Sequence, residues 1–168
     1  MAKLRVGHVA ALAGVSRQTV YNEFGDKFGL AEAVAVRVTD RLVDAIEVEL
    51  ARHPSLPEAV GSGMALALRV AVQQPLVQLT LARKDDDDMI ALLTTDAAAV
   101  IHAATRRLVE IGGTLWPEVA PDDHLLIADL ATRMTISHLV CITESPEQAA
   151  AKLATWVKAL LAARGYPF

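Results

Sequence analysis

The run Ala13-Gly14-Val15-Ser16 constrains this chain more than any other stretch. Glycine takes the positive φ that ends a helix and reverses its path. A valine after it plugs the angle between two helices, and a serine caps the second by accepting a bond from its free amides. Apolar patterns flank the turn on both sides. Val9, Leu12 and Ala13 supply the first helix, while Val20 and Phe24 fall four apart on the second and point inward. Arg17, Gln18, Thr19, Tyr21 and Asn22 are left on the outside. The pattern is a helix-turn-helix, and the five outward residues suit a DNA groove.

Beyond Phe24 the periodicity stays helical. Gly25 breaks the second helix and Asp26 caps a long one from Lys27. In that helix Phe28, Leu30, Ala31, Val34, Val38, Leu42, Ala45, Ile46 and Leu50 recur at three- and four-residue intervals before Pro54. Gly29 sits inside it at a cost of about 1 kcal/mol relative to alanine, which suggests flexibility at the joint. Ser55, Pro57 and Glu58 open a slim helix to Gln74, carrying Gly61, Gly63, Ala65, Ala67 and Ala71. A short helix follows from Leu76 to about Ala82. Asp85-Asp86-Asp87-Asp88 then starts a helix to Ile111, closed by Gly112-Gly113. Four adjacent carboxylates lack the alternating spacing of a calcium loop and fit the positive end of a helix dipole. Two further helices run from about Asp122 to Thr143 and, after the start signal Ser145-Pro146-Glu147-Gln148, to Arg164. Leu153, Trp156, Val157, Leu160 and Leu161 form one apolar face of the last. With no strand alternation, the expected fold class is all-α.

Composition narrows the function classes. At 168 residues and 53% hydrophobic the chain holds one sizeable core plus a small module. Cys141 is the single cysteine, which excludes an internal disulfide and a cysteine-based zinc site. No signal peptide opens the chain, and no apolar run approaches the roughly 18 residues of a spanning helix, so a cytoplasmic protein without membrane contact is expected. Net charge is −4, unevenly spread. In residues 1–31 Lys3, Arg5, Arg17 and Lys27 outweigh Glu23 and Asp26 by two, leaving −6 for the rest. A locally basic reader on an acidic body is compatible with a phosphate partner. Nothing assembles into a catalytic triad, nucleotide loop or metal cluster, and His102 with His138 lacks a third ligand, so no enzyme activity, cofactor or metal is expected.

Ala13-Gly14-Val15-Ser16, with Thr19, Tyr21, Phe24, Lys27 and Leu30 at these intervals, resembles the DNA-binding region of the TetR family of bacterial transcription regulators. The match spans Val6 to Ala33. The resemblance implies a helix-turn-helix region with the start of a connector helix over residues 1–38, and a helical effector-binding and dimerisation domain over 39–168. It implies a homodimer, joined through the last two helices, on a near-palindromic double-stranded operator. Carried over by position, Arg17, Gln18 and Asn22 face base edges, Thr19, Tyr21 and Lys27 hold phosphates, and Ser16 stands at the start of the recognition helix. An effector pocket would lie between the middle helices, with Met64, Leu68, Gln78, Met89, Leu93, Ile101, His102, Thr105, Met134 and His138 as candidate lining residues. The expected function is a repressor released from DNA by an apolar or amphipathic small molecule. The family's first helix, which braces the reader, has no counterpart in Met1 to Arg5, and a shortened start is the expected reason. The alternative is a ligand-binding helical homodimer with impaired or no DNA binding.

Overall fold

The computed structural model describes residues 5–73 and 97–167. Seven α-helices and no strand lie among the described residues. Gly14 and Ser16 close the turn as expected, whereas Val15, expected to plug the angle between the two helices, is 43% exposed. Gly14, at φ 68°, ends α1 (Val6–Ala13) with its amide bonded back to the Ala10 and Ala11 carbonyls, and Ser16 Oγ accepts the Thr19 amide at 3.0 Å to start α2 (Arg17–Phe24). Val6, Ala10, Val20 and Leu30 make the small core beneath, with Val9 and Phe24 packed against it. Leu12 is not part of it and stays 77% exposed. Because Val6 and Ala10, one turn apart, take the inward face, a residue two positions further on points away.

Helix α3 (Lys27–Leu50) joins this core to a larger one. Asp26 caps it by accepting the Gly29 amide at 2.8 Å. Gly29 is no loosened joint: a Cβ there would collide with the Phe24 carbonyl oxygen, so glycine is what lets α3 start this close to the end of α2. Leu30 belongs to the small core, and Val43, Ile46 and Leu50 to the large one.

The large core is built by α4 (Leu56–Gln73), α5 (Ala98–Leu115), α6 (Pro121–Val140) and α7 (Pro146–Ala163) packed with α3. The slimness of α4 serves close packing, since a Cβ on Gly61 would stand 3.0 Å from the Ala150 carbonyl oxygen of α7. Ser145 and Gln148 form the expected reciprocal cap on α7, whose Leu153, Val157 and Leu161 are completely buried. Trp156, expected on the same apolar face, is instead 46% exposed. Helix α5 does not stop at Gly112-Gly113 but continues to Leu115. Gly112 is needed for proximity, because a Cβ there would lie 2.6 Å from His124 Nδ1 on α6. Helix α6 ends at Val140, three residues short of the expected Thr143. The helix expected over 76–82 and the four-aspartate start fall outside the described residues. No helix among the described residues is long and apolar enough to cross a membrane.

Gly29→Ala tests the packing at the head of α3. Within an ordinary helix the change adds about 1 kcal/mol of stability; here overpacking against Phe24 costs about 1–3 kcal/mol. Urea unfolding of the variant should show a net loss, and a gain would remove the steric reading of Gly29.

Candidate DNA-reading surface and effector cavity

The outward face of α2 carries the residues that the sequence placed there. Ser16, Arg17, Gln18, Thr19, Tyr21 and Asn22 are all exposed, as is Lys27 at the head of α3. Several are already ordered. Gln18 Nε2 donates to Asn22 Oδ1 at 2.9 Å, which links the two amides along one turn. The Thr19 and Ser16 hydroxyls lie 2.8 Å apart. The Arg17 guanidinium lies back over α1, where a Cβ on Gly7 would come within 2.6 Å of its Nε. Glycine at position 7 leaves that space open. The array offers a guanidinium suited to guanine and amides suited to adenine on one helix face.

A cavity of about 320 Å³ lies in the larger domain among α3, α4, α5 and α6. That volume stands at the lower end of small-molecule sites. Val38, Leu42 and Ile46 of α3, Met64 and Ala67 of α4, Ala104 and Leu108 of α5, and Ile127 and Ala131 of α6 give it a mostly apolar wall. Polar groups are few. Arg41 reaches the lining from an exposed position, and Thr135 spends its hydroxyl hydrogen on the Ala131 carbonyl at 2.8 Å. His124, also on the lining, is bonded through Nε2 to the Trp116 carbonyl at 3.1 Å. Thr132 lines the same space, and its buried hydroxyl has no partner among the described residues.

Of the ten lining residues expected from the sequence, Met64 is on this wall. Leu68 is buried in the large core, and Met134 packs against that core. Ile101 is half-buried. Exposed His102 and buried Thr105 border a separate, more open hollow with Arg106 and Leu125. His138 donates from Nδ1 to the Met134 carbonyl at 2.8 Å and meets Glu144 through Nε2 at 2.9 Å, so both its nitrogens are occupied. Gln78, Met89 and Leu93 fall outside the described residues. His124, Thr132 and Trp116 were missed, although one helical stripe, His124, Ile127, Ala128, Ala131, Thr132, Thr135, contains two of them. No group of three or more metal-ligating side chains occurs among the described residues.

Comparison with known proteins gives these two sites a common setting. Residues 56–159 match the family model described as "Bacterial Tetracyclin repressor, C-terminal domain". The chain belongs to the TetR family of transcriptional regulators, which is not a family of enzymes. It is 32% identical over 152 residues to the HTH-type transcriptional regulator AlkX of Mycobacterium tuberculosis, covering 90% of this chain and 72% of that protein. It is also similar to the crystal structure of the TetR family repressor AlkX from a Dietzia species. There the TM-score is 0.80 at 30% identity, over 95% of this chain and 87% of the other.

The junction of α6 and α7 carries a pH-dependent tie. Hydrogen bonds from Lys152 foremost, then from His138, hold the Glu144 carboxyl below its ordinary range. A carboxyl whose pKa is lower in the folded than in the unfolded chain stabilises the fold above its unfolded pKa, and that contribution is lost as pH falls through the folded value. Glu144→Gln should therefore melt below the wild type at pH 7. The gap should close as the pH drops below about 4.3, the ordinary glutamate value; a gap independent of pH would refute the tie.

Proposed function

We propose that this regulator is a dimeric repressor that leaves its operator when a mostly apolar small molecule occupies the cavity. The observation that carries the reading is the course of α3. One uninterrupted helix starts beside the recognition helix, contributes Leu30 to the reader's core, and forms a wall of the cavity from Ala35 to Leu50. The similar Dietzia protein, a repressor implicated in biodegradation of n-alkanes, supports both the repressor role and an apolar effector. In this reading residues 1–38 read DNA and residues 39–168 bind effector and dimerise, in the bacterial cytoplasm where the operator is. Release requires that the ligand bind better to the reader spacing that does not fit the operator.

Arg17, Gln18 and Asn22 read base edges, while Thr19, Tyr21 and Lys27 hold phosphates and Ser16 sets the helix start. Helices α6 and α7 pair the subunits. Leu125, Leu126 and Val140 on α6, Ile142 just beyond it and Trp156 on α7 are exposed apolar residues, a set that a second subunit would bury.

Arg17→Ala should cost about 1–3 kcal/mol of operator affinity, roughly five- to 150-fold, and relax selectivity at one base pair. Fluorescence anisotropy on operator variants measures it, and unchanged affinity would remove Arg17 from the reader. Trp156→Asp should shift the protein to monomer in sedimentation; a dimer of unchanged strength would place the interface elsewhere.

A further inference from the structure

We propose that Gly7 is a positioning residue of the DNA reader, and that its missing side chain seats the Arg17 guanidinium for the operator. The inference deepens the proposed reading of DNA and rests on it. Gly7 lies inside α1 and is not one of the glycines with positive φ, which among the described residues are Gly14, Gly25 and Gly165. No backbone demand therefore explains a poor helix former at this place. What the position leaves open is the room of a Cβ. The three atoms nearest to where one would stand all belong to Arg17, with Nε at 2.6 Å, Nη2 at 2.7 Å and Cζ at 2.8 Å. Real Cβ atoms do not come so close, so any other residue here would displace the guanidinium.

Similar distances to three atoms of one plane mean that the guanidinium lies across the glycine instead of meeting it at one tip. Among the described residues it has no hydrogen bond or ion pair, and α1 has no acidic residue in its first turn to neutralise it. Contact with Gly7 thus orders the group while leaving its charge and its donors unspent. That combination suits a reader. An arginine loses much rotational freedom when it docks on a base, and one laid on a glycine has given up part of that freedom before DNA arrives. The seat comes from α1 and the arginine from α2, so the turn at Gly14 and Ser16 sets where the guanidinium stands. Alanine at position 7 would push Arg17 off that seat without touching the arginine itself.

The test pairs two substitutions. The probe is the duplex that the full wild-type chain enriches from a random-sequence library, and affinity is read by fluorescence anisotropy. With Arg17 present, Gly7→Ala should weaken binding about two- to tenfold, the share of one ordered side chain. In an Arg17→Ala background the same change should alter affinity by less than about twofold, since nothing is left to seat. The Gly7→Ala chain should melt no lower than the wild type, because alanine is the better helix former, and the loss is then not one of folding. In the DNA-free chain a nuclear Overhauser contact should join the Arg17 Nε proton to the Gly7 α protons. An equal loss in both backgrounds, no loss with Arg17 present, or absence of that contact would each overturn the proposal. If no duplex is enriched, or if Arg17→Ala leaves affinity unchanged, the reader assignment fails and the seat falls with it. If Arg17→Ala weakens binding and Gly7→Ala does not, the seat alone fails.

Discussion

The structure depends on α3 being continuous. Its 24 residues extend about 36 Å, and its two ends belong to different hydrophobic cores. Neither core is closed without it. The small core has four buried side chains, of which Leu30 comes from this helix, so the reader takes part of its stability from the domain it is attached to. A rigid helix shared in this way transmits a tilt rather than absorbing it, because a packed core accommodates discrete arrangements better than graded deformation.

Polar contacts fix the seat of α3 over its last two turns. Arg107 of α5 reaches Asp44 at 2.9 Å and Glu47 at 3.6 Å, and Glu49 accepts from Ser62 of α4 while also meeting Arg52 and His53. The Ser62 bond does most to hold the Glu49 carboxyl below its usual range. Arg107 adjoins Leu108 and Glu49 adjoins Leu50, both on the cavity wall. The same wall that would sense a ligand is thus tied to its neighbours by charge at its far end and by apolar packing at its middle.

Much of this was legible in the sequence, for identifiable reasons. Turn and cap chemistry is local, so Gly14, Ser16, Asp26 and the Ser145–Gln148 pair gave helix boundaries close to those observed. Long-range proximity is not local. Gly29 and Gly112 read as weak points or stops, and both turned out to be places where one element passes too close to another for a Cβ. Leu12 failed for a related reason: in an eight-residue helix the inward face is decided by which residues the partner helices meet, and Val6 and Ala10 met them. In the cavity, apolar spacing identified the helices around the space but not which polar side chains turn toward it. His138 resembled a ligand-binding histidine until Glu144, six residues away, took its second nitrogen.

The contact between Gly29 and the Phe24 carbonyl has one more consequence. It is an approach of main chain to main chain, so the angle at which α2 stands on α3 does not rest on any outward side chain. The residues at positions 17, 18, 21 and 22 are therefore free to change without altering how the helix is aimed. Under the proposed reading, a new target sequence is reached by exchanging surface side chains alone, and one scaffold of this kind can diversify into readers of many operators while the sensing domain stays as it is.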